Sequence, residues 1–208
     1  MDLLAEGGQP THGISVDAIR ASLRGAFPWH RHQEQHPHPG DAERWWENIE
    51  ALIADALRGI GVAAGESTRV AAAVRSRFVD PSIGWEAFGD AQQALEATAA
   101  AGWTNAILSN HVPELPALVA GVGLSTHVDR IFSSAQIGWE KPNPRVFRHA
   151  LNAYGNPREV WMIGDNPIAD IAGAEAVGLR AILVHGADSQ EPNGALGLVG
   201  AAEIVLGS

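Results

Sequence analysis

The chain has 208 residues, a formal net charge of −10 and no cysteine. Its length predicts one compact domain, or one core with a smaller appendage. The acidic balance argues against nucleic acid and anionic membrane surfaces as partners, and the lack of cysteine excludes disulfide scaffolds, thiolate catalysis and cysteine zinc sites. No apolar run approaches a membrane span, and the first 30 residues do not resemble a signal peptide. We therefore expect a cytoplasmic protein.

The first predicted region, residues 1–86, has the pattern of a helical cap. Apolar residues recur at helical spacing in three stretches, and there is no convincing strand before residue 103. Asp41 is placed to cap the second helix and Pro81 to stop the third. The three apolar stripes are Val16, Ile19, Leu23 and Phe27; Trp45, Ile49, Leu52, Ile53, Leu57 and Ile60; and Val70, Val74 and Phe78.

A polar loop between the first two predicted helices carries four histidines, His30, His32, His36 and His38. Imidazole is the commonest protein ligand for transition metals, so the two His-x-His pairs are a candidate metal site. The alternative is a solvated loop, because nothing in the sequence fixes the rings by further hydrogen bonds. We favour the solvated loop.

The second predicted region, residues 87–208, alternates strands and helices. Short apolar strands separated by helices of this length predict an α/β core with a doubly wound, mostly parallel sheet covered on both faces. The predicted strands are 106–108, 131–132, 160–163, 181–184 and, more weakly, 204–206. The predicted helices are 90–101, 112–122, 144–154 and 168–177.

Polar side chains follow these strands at their carboxyl ends, where open parallel sheets bind ligands. Lys141, the only lysine among the 14 basic residues, lies in the loop beyond the second strand. The sequence therefore predicts that hydroxyl, ammonium and acidic groups converge on one edge of the sheet. The strand-end residues are Ser109 and Asn110, Ser133 and Ser134, Gly164, Asp165 and Asn166, and His185 and Gly186.

Asp165 and Asp170 form the sharpest pair among these residues. Asp165 follows a strand directly and Asp170 lies on the first turn of the next predicted helix, so both carboxylates can face one ion. Oxygen ligands of this kind suit Mg2+. The alternative is that Asp165 caps the helix and Asp170 is a favourable charge near its N-terminus. Similarly, Ser109 and Asn110 are either phosphate donors or local caps, and Lys141 is either an anion-binding or a surface residue.

Three segments at these positions resemble the haloacid dehalogenase (HAD) superfamily of hydrolases. Residues 106–110 resemble its second motif, residues 138–147 its lysine motif, and residues 162–170 its acidic fourth motif, GDxxxxD. The likeness covers residues 89–186, and residues 12–86 are similar in character to the helical cap inserted in such enzymes. The resemblance implies a Rossmann-type core and Mg2+-dependent hydrolysis of a small phosphorylated metabolite, because members with this fourth motif are mostly phosphatases, whereas true dehalogenases carry a different acidic motif.

The resemblance also implies roles for individual residues. Ser109, with Asn110, would hydrogen-bond the transferred phosphoryl group, and Lys141 would stabilise that group and the nucleophile. Asp165 and Asp170 would hold Mg2+.

One family motif is missing from the pattern. The first motif, a central strand ending in DxDxT, supplies the nucleophilic aspartate, whereas this chain opens with residues 1–8 and no apolar strand. Asp2 has no preceding strand to place it at the sheet edge. We therefore expect no nucleophile and an inactive site. We also expect the sheet to close the gap left by the absent central strand, to borrow a strand, or to depend on a partner chain. The last option makes a homo-oligomer possible.

Several explanations of this departure stay open. In one explanation, the natural protein is longer and is an ordinary magnesium phosphatase. In another, the chain is a noncatalytic binding or interaction protein on a phosphatase scaffold. Substitution by another carboxylate is disfavoured because the strand ends offer no spare aspartate. A phosphoacceptor receiver domain is disfavoured because Lys141 precedes Asp165 in the chain.

Overall fold

The computed structural model describes residues 15–25, 27–185 and 196–208. Asp2 and the other residues of 1–8 lie outside these ranges, as does Gly186. Within the described ranges, no helix is both long and apolar enough to cross a membrane. The α-helices are α1 (Val16–Ser22), α2 (Ala42–Gly59), α3 (Ala64–Phe78), α4 (Ala91–Ala100), α5 (Leu115–Gly121), α6 (Ser134–Ile137), α7 (Pro144–Ala153), α8 (Gly173–Glu175) and α9 (Leu198–Leu206). The strands are β1 (Ala106–Ser109), β2 (Arg130–Ser133), β3 (Trp161–Gly164) and β4 (Arg180–Leu183). A 3-10 helix spans Pro28–Arg31 and a π-helix spans Pro167–Ala172.

Helices α1, α2 and α3 form the predicted cap. Asp41 caps α2 as expected, because its carboxylate accepts a hydrogen bond from the backbone N–H of Arg44 at 3.1 Å. The apolar stripe of α2 packs against Val70 and Ala71 of α3. The same cluster continues onto Val112, Leu118 and Ala135 of the core, so the cap is seated directly on the α/β region. The buried residues of the stripe are Trp45, Trp46, Ile49, Ile53, Ala54 and Leu57.

The four strands form two separate parallel pairs. Strand β1 runs beside β2 with Ser109 opposite Ser133, and β3 runs beside β4 with Gly164 opposite Leu183. Among the described residues, no hydrogen-bonded strand connects β1 to β3. The α/β fold with parallel strands is confirmed. The predicted single sheet is divided, and the gap lies where the resemblance places the missing first strand.

Alternating side chains of β3 and β4 build an apolar layer on each face of their sheet. Trp161 and Ile163 of β3 pack with Ile182 of β4 and with α9. Met162 points to the opposite face, where Phe147 of α7 is buried. This period of two is the pattern of a strand covered by helices on both sides.

A cavity of about 910 Å3 lies between β1 and β3. We call it the central cavity. Its walls are the facing edges of the two strands and apolar residues of the helices on either side. Ser109, Lys141, Gly164, Asp165 and Asp170 also line it, at the carboxyl ends of the strands. The helical residues include Ala91, Ala94, Leu95, Leu115, Leu118, Val119, Phe147, Ala150, Leu151, Leu198, Ala202 and Val205.

Two predicted elements are wrong or altered. Residues 204–206 are not a strand but the end of α9, because Ala201, Ala202 and Val205 are spaced to bury one helical face, against α4 and β3. The predicted helix 168–177 begins instead as the π-helix and continues as α8. Short π-helical turns occur often at functional sites, and this one carries Asp170.

Replacing Gly173 with alanine is expected to destabilise the fold by about 1–3 kcal/mol through overpacking. A Cβ at this position would lie 2.9 Å from two ring atoms of Phe147, and Phe147 is 1% exposed, so its ring has no room to move. The matched control is Gly59→Ala, at the exposed end of α2, where a Cβ meets nothing within 4 Å. That change is expected to be neutral or to stabilise by up to about 1 kcal/mol. Urea unfolding of both variants measures the difference, and equal midpoints would contradict the described packing.

Candidate active site

Lys141 is the centre of the polar cluster at the end of the central cavity. Its ammonium group donates to the carbonyl oxygen of Leu108 at 2.7 Å and to Oδ1 of Asp170 at 2.5 Å. Lys141 is 7% exposed and Asp170 is 4% exposed. Because Leu108 belongs to β1 and Asp170 follows β3, this one side chain connects the two separate sheets.

The loop that carries Lys141 begins at the C-terminal cap of α6 and ends at the N-terminal cap of α7. Gly138 ends α6 in the left-handed conformation, at a φ of 87°, which glycine adopts without a steric penalty. Asn143 caps α7 by accepting from the backbone N–H of Arg145 at 3.0 Å, and Pro144 occupies the first turn of that helix. The Lys141–Pro142 peptide bond is cis.

Asn110 fixes the backbone of Lys141. Its Oδ1 accepts from the Lys141 backbone N–H at 2.7 Å, and its Nδ2 donates to the Lys141 carbonyl at 2.9 Å. The predicted phosphate donor is therefore engaged in positioning the lysine, with one amide N–H left over for a ligand. Ser109, by contrast, is half-buried at the end of β1, and its hydroxyl has no hydrogen-bonding partner among the described residues.

The turn after β3 places the Asp170 side chain against the carboxyl end of that strand. Oδ2 of Asp170 accepts from the backbone N–H of Asn166 at 3.0 Å, while Asn166 itself caps the π-helix through the N–H groups of Ile168 and Ala169. A Cβ at Gly164 would overlap with the Asp170 side chain, so glycine permits this approach. Asp165 does not cap the helix and is exposed.

The donor chemistry of Asp165 and Asp170 fits Mg2+, with one complication. The ion usually takes one or two protein carboxylates together with water and phosphate oxygens, and two carboxylates are available here. Within the described ranges, no group of three or more acidic or histidine side chains is arranged to hold a metal. Oδ1 of Asp170 is already paired with Lys141. A metal ion would therefore compete with the ammonium group for this carboxylate.

The other strand-end residues have structural roles. The hydroxyl of Ser133 donates to the carbonyl oxygens of His111 and Val112 at 2.7 and 2.8 Å, and Ser134 Oγ accepts from the backbone N–H of His111 at 3.0 Å. The ring of His185 stacks on Phe88 with centroids 4.2 Å apart. These serines hold the segment after Asn110 and do not line the central cavity.

The histidine loop is neither fully solvated nor, among the described residues, part of a metal cluster. His38 is exposed beside Arg44, whereas His36 is 7% exposed. Nε2 of His36 lies 3.1 Å from Oε1 of Glu140, which is 1% exposed. The two atoms are close enough for an ion pair but are not aligned as a hydrogen bond.

Sequence reasoning missed both Glu140 and His111 as partners in this region. Burial lowers the pKa of His111, and the nearby Glu140 carboxylate opposes that shift. An acidic residue beside the single lysine was the available signal for Glu140. Nothing in the local sequence indicates that it would pair with a histidine of the cap.

Comparisons with known proteins concern the family and the fold of the chain. A sequence profile for a HAD-hydrolase-like family matches residues 138–196. Human haloacid dehalogenase-like hydrolase domain-containing protein 3 is 29% identical over 187 residues, which cover 87% of this chain and 73% of that protein. Phosphoserine phosphatase of Thermus thermophilus is 44% identical over 85 residues, covering 40% of this chain and 34% of the phosphatase.

A solved structure gives the same picture for the fold. The 2-haloacid dehalogenase of Pseudomonas syringae pv. tomato superposes with a TM-score of 0.64 at 23% identity, over 98% of this chain and 86% of that one. At this identity the likeness concerns the fold alone. The family profile and the human relative show that the sequence is similar to hydrolases of the HAD superfamily, and the solved structure shows that the fold is the same.

Proposed function

We propose that the described residues form the phosphate-binding and metal-binding part of a Mg2+-dependent phosphomonoesterase that acts on a small phosphorylated metabolite. The observation that carries this proposal is the gathering of Ser109, Lys141, Asp165 and Asp170 at one end of the central cavity. A hydroxyl donor, an ammonium group and two carboxylates match the demands of a phosphoryl dianion with its counter-ion.

Each of these residues has a distinct part in the proposal. The Ser109 hydroxyl donates to a phosphoryl oxygen, and the Lys141 ammonium neutralises charge that develops on the transferring group. Asp165 and Asp170 would hold Mg2+, which supplies further charge neutralisation at the phosphoryl oxygens. Asn110 positions Lys141 through its two backbone hydrogen bonds.

The nucleophilic carboxylate is the part that the described residues do not supply. Among them, no strand bears an aspartate at its carboxyl end apart from β3, which Asp165 follows, with Asp170 in the next turn. Both are committed to the cation site in this proposal. A carboxylate on a strand between β1 and β3 would reach the Lys141 end of the central cavity, so we infer that turnover requires such a strand.

A phosphatase is favoured over a dehalogenase by the spacing of Asp165 and Asp170, which follows the family's phosphatase-type motif. The similarity to a phosphoserine phosphatase over 85 residues supports the same choice. The second candidate function is a noncatalytic binding or interaction protein. The observation that favours it is the missing strand-end nucleophile among the described residues.

The purified 208-residue chain is expected to hydrolyse a generic aryl phosphate no faster than buffer, with Mg2+ or with chelator, because no residue in the described part of the chain is placed as a nucleophile. A synthetic peptide of about six apolar residues that ends in Asp-x-Asp-x-Thr, added in trans, is expected to restore Mg2+-dependent turnover. The same peptide with asparagine at the first aspartate is the control.

Two results would contradict this account of the site. Mg2+-dependent turnover by the chain alone, abolished by Asp165→Asn, would mean that a described carboxylate acts as nucleophile. A peptide that binds in the central cavity without producing turnover would favour the noncatalytic alternative.

Phosphate and Mg2+ are expected to bind cooperatively. Nζ of Lys141 and Oδ1 of Asp170 are paired in the structure, 2.5 Å apart. A phosphate that attracts the ammonium group therefore frees the carboxylate for the metal ion. By thermodynamic linkage, the factor by which phosphate strengthens Mg2+ binding equals the factor by which Mg2+ strengthens phosphate binding. We expect this factor to be at least about fivefold. Calorimetric titration with inorganic phosphate, with and without Mg2+, measures this factor.

Asp165→Asn is expected to remove the cooperativity, because it takes away the exposed metal ligand. The control is Asp17→Asn, which makes the same charge change at a 90% exposed side chain of the cap. Phosphate affinity that is independent of Mg2+ in the unaltered chain would contradict the exchange of partners at Asp170.

A further inference from the structure

Two loops, one from the cap and one from the core, lie against each other beside the candidate active site. The cap loop comprises residues 32–40, and the lysine loop comprises residues 138–143. The backbone N–H of His36 donates to the carbonyl of Gly138 at 2.9 Å, and Nδ2 of Asn143 donates to the carbonyl of His32 at 2.9 Å. A Cβ at Gly138 would lie 2.6 Å from Cβ of Pro39, so the Pro39 ring packs closely on the backbone of Gly138.

The side chains of His36 and Glu140 add a buried polar contact to this interface. Their nearest atoms are 3.1 Å apart, with 6% and 1% of the side-chain surfaces exposed. Oε2 of Glu140 has no hydrogen-bonding partner among the described residues. A buried carboxylate is costly unless a complementary charge is close. His36 is the polar side chain in contact with the Glu140 carboxylate, and His111 is the other histidine near it.

Glu140 and Lys141 are consecutive residues, but the side chain of one contacts the cap and the side chain of the other contacts the core. Glu140 is held by the cap through His36, whereas Lys141 is held by the core through Asp170 and the Leu108 carbonyl. Their Cα atoms are separated by a single trans peptide, a distance of about 3.8 Å. A shift of the Glu140 backbone therefore acts directly on the neighbouring backbone of Lys141.

We propose that the His36–Glu140 pair is a positioning device, through which the seating of the cap sets the placement of the Lys141 ammonium group. When the pair is intact, Glu140 stays buried and Lys141 stays on Asp170. When His36 is removed, the uncompensated carboxylate moves towards water and draws the lysine loop with it. The proposal rests on the proposed function only in taking Lys141 as the phosphate-binding cation.

The test uses the fact that Lys141 is the only lysine in the chain. Acetic anhydride acetylates accessible amines, so peptide mass spectrometry after a short pulse reports on Lys141 and on the terminal amine separately. His36→Gln is expected to raise the acetylation rate of Lys141 by at least about fivefold, because it breaks a buried pair. Each variant is assayed well below its unfolding midpoint, measured by circular dichroism.

The double variant His36→Gln with Glu140→Gln separates positioning from packing. Once the carboxylate is neutral, nothing drives residue 140 towards water, so the rate is expected to return to within about threefold of the unaltered chain. The matched control is His38→Gln, the same substitution at an exposed position of the same loop, and it is expected to leave the rate unchanged. If His36→Gln leaves the rate unaltered, or if the double variant reacts as fast as the single one, the proposal is wrong.

A second arm tests the proposed function independently. Inorganic phosphate with Mg2+ is expected to slow acetylation of Lys141 in the unaltered chain. Absence of such protection would count against phosphate binding at Lys141, while the comparison of variants without phosphate would still decide the role of His36.

Discussion

Lys141 and Asp170 form a buried ion pair at the point where the two sheets of the core approach each other. The ammonium group also bonds to the Leu108 carbonyl at the end of β1, and Asp170 is held by the turn that follows β3. Two charges withdrawn from water in this way are stable only as a pair, since loss of one partner leaves the other uncompensated at a cost of about 3–5 kcal/mol. The pair is thus both a bridge across the divided sheet and the core of the candidate site.

The same interaction underlies the exchange of partners that we propose for the site. An ammonium group bound to a carboxylate is already oriented towards the place where an anion and a cation would bind. A phosphate oxygen offers the lysine a second acceptor, and a metal ion offers the aspartate a second positive charge. Asn110 keeps the backbone of Lys141 in place during this exchange, and the cap contributes through the neighbouring Glu140.

Local sequence patterns predicted the elements that depend on neighbours in the chain. The strands at residues 106–108 and 160–163 fall within one residue of β1 and β3, because short apolar runs bounded by polar turns have few other solutions. Asp41 caps α2 as its position before the apolar stripe indicated. The same reasoning found the residues around Lys141, because they follow parallel strands at one edge.

Contacts between distant segments were not predictable in this way. His36 and Glu140 meet across the boundary of cap and core, and a single sequence holds no signal for such a pair. The end of α9 was misread as a strand because Ile204 and Val205 favour β structure, whereas packing on α4 and β3 favours the helix. The two hydrogen bonds between Asn110 and the backbone of Lys141 were also not predicted, since they depend on how the lysine loop folds back.

A double-mutant cycle of unfolding free energies, with Lys141→Met and Asp170→Asn, tests the bridging pair most directly. Each single change is expected to destabilise the chain by about 3–5 kcal/mol, and the double change by much less than their sum, because it leaves no charge unpaired. The exposed pair Arg180 and Glu159 provides a reference cycle, whose coupling is expected to be below about 1 kcal/mol. Additive effects at Lys141 and Asp170 would contradict the central claim that this pair holds the divided core together.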